Sequence, residues 1–170
     1  MKKVAIVTSA SGSGGTTVGR EIAVRLGVPF HELDALFWQP SWTPPDPDDF
    51  RARVADIAVT DDWVIDGSYQ SWIGQLVLGR ADVVVWLDFP MRVWLPRLLR
   101  RTASRARSGE ELWAGNRESL GNAFASCDSL ILFSLCHHRG RRRRYPVRFA
   151  DYDLVRLRSQ ADVDRFLRSL

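Results

Sequence analysis

The N-terminal segment constrains the fold most strongly, because a short apolar stretch runs into a glycine-rich turn and then into a periodic segment. Val4 to Val7 are consecutive apolar residues, typical of a buried strand. Residues 9–17 read SASGSGGTT. A four-residue apolar spacing follows, carried by Val18, Ile22 and Leu26, and Gly27 stands where a helix would end. The segment predicts a strand, a loop and a helix in that order.

The rest of the chain alternates between short apolar runs and longer amphipathic stretches. Strands are predicted at about 29–33, 63–66, 82–88 and 153–157. Helices are predicted from about 48, over 70–79, from 90 to about 101, over about 116–138 and from 161, with an arginine-rich loop over 102–114. This alternation favours an α/β fold with a five-stranded parallel sheet flanked by helices. We expect residues 1–170 to form a single domain.

The turn at residues 9–17 is compared with the phosphate-binding pattern G-x-x-x-x-G-K-[ST]. The four diagnostic positions fall on Ser9, Gly14, Gly15 and Thr16, so a serine replaces the first glycine and a glycine replaces the lysine. Backbone N–H groups at a helix N-terminus still attract phosphate without that lysine. The candidate ATP-binding residues are Ser11, Gly12, Ser13, Gly14, Gly15, Thr16 and Thr17. The alternative is a glycine-rich turn that binds no ligand.

Charge is distributed unevenly along the chain. Residues 1–89 contain 7 Lys and Arg against 12 Asp and Glu, whereas residues 90–148 contain 13 against 4. The basic segment includes the run Arg141 to Arg144, which either follows a nucleic-acid backbone or forms a solvated loop. Aromatic residues do not interleave with this run, so direct nucleic-acid binding is the less favoured interpretation.

Hydropathy and cysteine spacing predict the surroundings of the protein. No apolar run approaches the roughly 18 residues that span a bilayer, and the stretch after Met1 is too short for a signal peptide. Cys127 and Cys136 fit neither a disulfide framework nor a paired metal-ligand spacing. We therefore expect a cytoplasmic protein with no membrane partner.

Several segments together resemble the adenylate-kinase-like small P-loop kinases, and most closely the group called topology modulation proteins. The matching segments are SGSGGTT, PFHELDALFWQPSW, WVIDGSY, RADVVVWLDFP, RLLRRT, GNRE and VRLRSQADVDRFL. Residues 12–23 are also similar to the lysine-free loop of cytidylate-kinase-like proteins. The resemblance implies a P-loop NTPase fold, with ATP and Mg²⁺ as cofactors and an arginine-rich lid over about 102–118.

The resemblance also implies roles for individual acidic and aromatic residues. Asp66 ends a strand next to the loop strand and is implied, with Thr16, as a ligand of Mg²⁺; the alternative is a turn-forming Asp-Gly pair. Asp34 lies where the acceptor enters, and its alternative role is a helix N-cap. Trp38 and Arg80 are assigned with Asp34 to substrate binding.

Arginines supply the remaining implied catalytic residues. Arg97 and Arg101 are four apart on one predicted helix and match positions from which family arginines reach the transferred phosphate, and Arg117 stands where the lid returns. An arginine of this cluster would replace the missing lysine, while glycine at position 15 would supply backbone freedom. The alternative is a solvated basic helix face.

Three functions follow from these residues. The first is transfer of the γ-phosphoryl group of ATP to a small acceptor, such as a nucleotide or nucleoside. The second is a nucleotide-binding regulatory protein with little kinase activity, because the lysine is absent. The third is a nucleic-acid-associated protein that uses the basic segment.

Overall fold

Five strands form one parallel sheet in the computed structural model, which describes residues 2–118 and 129–170. The strands are β1 (Lys3–Thr8), β2 (Phe30–Glu32), β3 (Trp63–Asp66), β4 (Val83–Leu87) and β5 (Leu154–Leu157). Their order across the sheet is β2-β3-β1-β4-β5, and every pair is parallel. The predicted five-stranded parallel sheet is confirmed, and all strands end at the same edge.

Helices connect the strands. They are α1 (Gly15–Leu26), α2 (Leu33–Phe37), α3 (Pro47–Ala58), α4 (Gln70–Ile73), α5 (Met91–Ser108), α6 (Leu130–Arg148) and α7 (Gln160–Arg168). Short 3-10 turns occur at Pro40–Trp42, Leu78–Arg80 and Trp113–Gly115. Within the described ranges, no helix combines the length and apolar character that crossing a bilayer requires.

Two helices end later than predicted. The loop predicted from residue 102 is wrong up to Ser108, because α5 continues to that residue and ends at Gly109, whose φ is 64°. Trp94, Leu98 and Thr102 are buried at a four-residue spacing, so one face of α5 packs along its length. α6 likewise continues past His138 to Arg148. The predicted helix over 116–138 falls partly on residues 119–128, which lie outside the described residues, as does Cys127.

Both faces of the sheet are covered by helices, which explains the near-continuous apolar strands. Val4, Ile6 and Val85 pack towards α1 and α7. The opposite face carries the alternating residues Ala5, Val7, Val84 and Trp86. They pack against Phe50 of α3, Tyr145 of α6 and Phe149, which directly follows α6. The alternation follows the two-residue period of a strand and leaves the strand ends as the accessible polar edge.

A buried carboxylate fixes the start of the loop to β4 and β5. Asp88 follows β4 and is fully buried. Its Oδ1 accepts a hydrogen bond from Ser9 Oγ at 3.0 Å, and its Oδ2 accepts from Arg156 Nη2 at 2.6 Å. Arg142 Nε lies 2.7 Å from Oδ1 as an ion pair. Ser9 Oγ also accepts a hydrogen bond from Trp86 Nε1 at 2.8 Å. Serine at the first loop position therefore has a structural role that glycine would not supply.

We expect Asp88→Asn to destabilise the fold, because it leaves two guanidinium groups without their buried counter-charge. Breaking a buried ion pair on one side costs about 3 kcal/mol of unfolding free energy. Ser9→Ala should cost less, about 2 kcal/mol, since it removes two hydrogen bonds but leaves both ion pairs of Asp88 in place. Urea denaturation of the three proteins measures both values, and equal costs for the two variants would contradict the dominance of the charge.

Candidate functional site

The loop between β1 and α1 has a backbone that glycine allows. Gly12 and Gly14 have φ values of 80° and 86°, which L side chains rarely adopt. A Cβ at Gly12 would also stand 2.7 Å from the carbonyl oxygen of Trp94 on α5. No side chain caps the N-terminus of α1, which begins after Gly14. The first-turn N–H groups therefore remain open to an anion.

The loop is held on its outer side by α6. The N–H of Ser11 donates to Ser134 Oγ at 3.3 Å. Ala10 is fully buried in an apolar cluster with Trp94, Leu98 and Ile131. Ser13 is buried, and its Oγ has no hydrogen-bond partner among the described residues. These contacts fix the loop between α5 and α6.

Three oxygen-bearing side chains meet where β2 and β3 end beside α1. Glu32 and Asp66 are paired in register as the last residues of β2 and β3. Thr16 Oγ1 donates to Glu32 Oε1 at 2.7 Å and lies 3.2 Å from Asp66 Oδ2. The sequence predicts Thr16 and Asp66 at this position but does not single out Glu32. The sequence signal for Glu32 is that it is an acidic residue at the end of a strand, as Asp66 is.

Crowding changes the proton affinity of Asp66. Burial, and then the charges of Asp34 and Glu32, together raise the pKa of Asp66 to about 7, although the hydrogen bond with Thr16 opposes them. The side chain is therefore partly protonated near neutral pH. A bound cation would favour the ionised form.

The donor set suits Mg²⁺. This ion prefers oxygen ligands and is usually bound through one or two carboxylates together with substrate phosphates. Asp66 and the Thr16 hydroxyl offer such oxygens beside an open helix N-terminus. Over residues 2–118 and 129–170, no group of three or more His, Cys, Asp or Glu side chains is arranged to hold a metal ion.

Gly15 makes an unusually close approach to Asp66. A Cβ at Gly15 would stand 2.5 Å from Asp66 Oδ1 and 2.8 Å from Oδ2. Gly15 is the first residue of α1, and its backbone does not have a positive φ. The suggestion that glycine supplies backbone freedom here is therefore wrong. Any side chain at this position, including the lysine of the usual pattern, would have to displace the Asp66 carboxylate.

A third acidic residue, Asp34, lies beside this group. The hydroxyl of Tyr69 donates to Asp34 Oδ1 at 2.5 Å. Burial raises the pKa of Asp34 and the charge of Glu32 adds to this, while the Tyr69 bond and Arg101 oppose it. Asp34 is the second residue of α2, and Glu32 occupies the N-cap position. The alternative role of Asp34 as a helix N-cap is therefore wrong.

Arg101 and Arg97 have different surroundings although both lie on α5. Arg101 is half-buried, and its Nε has no hydrogen-bond partner among the described residues. Burial lowers the pKa of Arg101 and Arg105 adds to this, whereas Glu118, Asp34 and Glu32 oppose it. Arg97 is exposed, stacks 5.2 Å from the Phe89 ring centroid and donates to Gln160 at 3.4 Å. Of the two arginines, Arg101 is the one that interacts with the carboxylates.

The remaining predicted site residues have other partners or are exposed. Arg80 is exposed and donates to the carbonyl oxygen of Leu76 at 3.0 Å. Arg117 is exposed and donates to Glu111 at 2.7 Å. Trp38 packs edge-on against Phe37 at 5.0 Å and Trp42 at 5.4 Å. Thr17 is exposed in the first turn of α1.

Asn116 joins part of the predicted lid to the Trp-rich segment after α2. The Asn116 side chain is buried. Its Nδ2 donates hydrogen bonds to the carbonyl oxygens of Gln39 at 2.8 Å and Trp113 at 2.9 Å. Its Oδ1 accepts a hydrogen bond from the N–H of Trp42 at 2.9 Å. Trp42 and Ala114 have positive φ values of 57° and 55°. Such conformations cost of order 1 kcal/mol or more each, so the Asn116 contacts hold a strained arrangement.

We expect Gly15→Ala to lower the unfolding free energy by about 1 to 3 kcal/mol, because the new methyl group displaces the Asp66 carboxylate. In an Asp66→Ala background the same change should be neutral or stabilising by up to about 1 kcal/mol, since alanine favours a helix over glycine. Chemical denaturation of the four proteins gives the coupling between the positions. An equal effect in both backgrounds would contradict the close approach.

We expect Asn116→Ala to open the contact between residues 39–43 and 112–117, because the N–H of Trp42 then loses its acceptor. The local free energy of opening should fall by about 1 to 3 kcal/mol. Hydrogen exchange at Trp42 measures this value. Glu111→Gln is the matched control, since it removes only the exposed pair with Arg117. Equal protection in both variants would contradict the role of Asn116.

Comparison with known proteins supplies further findings. No protein-family model matches the chain. The chain is 29% identical over 117 residues to the uncharacterized protein YqaC of Bacillus subtilis (strain 168). The match covers 68% of this chain and spans 64% of the length of that relative.

Solved structures of small kinases share the fold. Shikimate kinase from Acinetobacter baumannii, in complex with shikimate, has a TM-score of 0.58 at 16% identity over 99% of this chain and 90% of that one. A gluconokinase from Sinorhizobium meliloti 1021 has a TM-score of 0.53 at 18% identity over 99% and 94%. Deoxyadenosine kinase from M. mycoides with bound dATP has a TM-score of 0.54 at 14% identity over 98% and 95%. The fold is that of small P-loop kinases.

Proposed function

We propose that this protein is a Mg²⁺-dependent phosphotransferase that moves the γ-phosphoryl group of ATP to a hydroxyl group of a small acceptor. One observation carries the proposal. An uncapped, glycine-built loop stands directly beside the oxygens of Thr16, Glu32 and Asp66, and Asp34 with Tyr69 lies next to them. Phosphoryl transfer needs positioning and charge stabilisation more than covalent chemistry from the protein, and these groups supply both.

Each group has a defined part in the proposed reaction. The N–H groups of residues 12–17 hold the phosphates of ATP, whereas the N–H of Ser11 donates to Ser134 Oγ. Thr16 and Asp66 would hold Mg²⁺, which neutralises charge on the phosphate oxygens when bound. Asp34 accepts a hydrogen bond from the acceptor hydroxyl, and Tyr69 fixes the orientation of that carboxylate.

Transfer forms a bond between the acceptor oxygen and the γ-phosphorus and breaks the bond from that phosphorus to the bridging oxygen, so ADP leaves. The hydroxyl proton passes to Asp34, whose raised pKa suits it to accept a proton. Arg101 stabilises the charge on the transferred group. Its Nε has no partner among the described residues, so this donor is available to a ligand oxygen.

The acceptor is proposed only as a small molecule with a hydroxyl group. The kinases that share the fold are named for shikimate, gluconate and deoxyadenosine. These compounds, with nucleoside monophosphates, form a rational acceptor panel. The closer likeness to topology modulation proteins, the single domain and the lid over 102–118 remain predictions from the sequence.

A nucleotide-binding regulatory protein is the second candidate function, and one observation favours it. A side chain at position 15 would have to displace the Asp66 carboxylate, and the glycine there leaves the loop without a lysine for the β/γ oxygens. Magnesium-dependent release of ADP with any member of the panel supports the phosphotransferase. Nucleotide binding without turnover across the panel supports the regulatory protein.

We expect Arg101→Ala to reduce turnover by about 10³-fold or more, the scale of one arginine acting on a transferred phosphoryl group. Arg97→Ala is the matched control on the same helix, and its effect should stay within a few-fold, because Arg97 contacts Phe89 and Gln160 instead. Steady-state kinetics of the three proteins measure the ratio. Equal losses would assign the effect to the general charge of α5.

The pKa of Asp66 predicts a pH-dependent response to magnesium. Because the pKa of Asp66 is raised from 3.8 to about 7 in the folded protein, the folded state holds this proton more tightly than the unfolded state. The resulting stability is present below about pH 4 and is lost as the pH rises to about 7. Above about pH 7 a bound cation would stabilise the ionised Asp66 carboxylate.

We therefore expect ATP with Mg²⁺ to raise the melting temperature more at about pH 8 than at about pH 6, since the group is largely ionised only at the higher pH. Asp66→Asn should remove most of this difference in melting-temperature shift. Asp82→Asn is the control and should keep the difference, because Asp82 is an exposed carboxylate that accepts a hydrogen bond from the N–H of Lys2. Thermal-shift titrations test both variants. A pH-independent shift in the wild-type protein would exclude Asp66 from the cation site.

A further inference from the structure

Four arginines line a pocket at the β5 side of the sheet. The pocket has a volume of about 280 Å³ and is lined by Arg139, Arg142, Arg143 and Arg156. Arg156 comes from β5, and the other three come from α6 at spacings of three and four residues, which places them on one helix face. β5 is at the opposite edge of the sheet from β2. The pocket is therefore separate from the Thr16, Glu32 and Asp66 group.

Positive charge in this pocket is only partly compensated. Asp88 lies behind the pocket and pairs with Arg142 and Arg156. Within residues 2–118 and 129–170, neither Arg139 nor Arg143 forms an ion pair with a carboxylate. Like charges at i,i+4 on a helix destabilise it. The fold thus concentrates cations that a bound anion would neutralise.

The geometry points to a binding site for a compact, phosphate-bearing anion in this pocket. A carboxylate offers two oxygens, which one guanidinium fork satisfies. A phosphate group offers three strong acceptor oxygens and up to two negative charges. Four arginines that line one open pocket from a helix and a strand therefore match phosphate better. Inorganic pyrophosphate and a small phosphate ester share this chemistry.

Neighbouring arginines do not extend the pocket into a continuous basic track. Arg141 lies over the ring of Phe133 at 5.2 Å from its centroid. Arg144 Nε donates to the carbonyl oxygen of Gly140 in the same helix at 3.3 Å. Consecutive residues of a helix point about 100° apart, so the run Arg141 to Arg144 divides its charge among different directions. This arrangement favours a compact anion over a nucleic-acid backbone.

The decisive variants leave the Asp88 network intact. Arg139→Ala with Arg143→Ala removes two pocket arginines that do not pair with Asp88. Arg141→Ala with Arg144→Ala is the matched control, because it removes the same charge from the same helix outside the pocket. In anion-free buffer the pocket variant should be at least as stable as the wild type, since it relieves repulsion. A loss of stability beyond that of the control would contradict uncompensated charge.

Calorimetric titration with inorganic pyrophosphate, and separately with glycerol phosphate, tests the site. We expect the pocket variant to bind at least about tenfold more weakly, because charge-assisted hydrogen bonds are lost, while the control stays within about twofold. Binding to the loop of residues 9–17 is common to both variants and cancels in the comparison. The result is therefore independent of whether the protein has kinase activity.

Three results would overturn the inference. One is equal affinity in the two variants, and another is no binding of either anion to the wild-type protein. The third is binding of a single-stranded oligonucleotide that the pocket variant loses while both small anions fail to bind, since that would assign the pocket to a nucleic-acid backbone.

Discussion

Parallel pairing of all five strands is the constraint on which the rest of the structure depends. Because every strand runs in the same direction, the polar residues that end the strands are brought to one edge of the sheet. Glu32 and Asp66 end neighbouring strands and therefore crowd each other, which contributes to the raised pKa of Asp66. Asp88, on the far side of β1, is instead enclosed by arginines. The parallel arrangement thus places acidic side chains where β2 and β3 end, and arginines around the carboxylate that follows β4.

The sequence predicts the sheet well because its strands are buried on both faces. Trp63–Asp66 is predicted with its observed bounds, and the other strands differ by one or two residues at their ends. The composition of the arginine-rich stretch after Arg101 predicts a loop, but the buried positions Leu98 and Thr102 continue the helical period. Charge on the exposed face of a helix does not end it, since arginine is a good helix former.

The candidate site is predicted less completely, because its contacts join residues that are distant in the chain. Thr16 and Asp66 follow from the loop pattern and from the strand that Asp66 ends. The interaction of Tyr69 with Asp34 and the contacts of Asn116 depend on how separate segments pack. Arg97 and Arg101 share a spacing that predicts one role for both, but their side chains have different neighbours. Spacing on a helix identifies a face and not the group that this face meets.

The absent lysine is best explained by the electrostatics of the whole edge. In the usual pattern a cation next to the phosphates comes from the loop itself. Here the space beside Gly15 is occupied by the carboxylate of Asp66, and Arg101 on α5 interacts electrostatically with Asp34 and Glu32. Phosphate charge would therefore be balanced by a dication on the Asp66 side and by a guanidinium from the opposite helix. Because both cations would come from outside the loop, and only the Arg101 guanidinium already interacts with the carboxylates, a bound metal ion would complete the charge balance that we propose for this site.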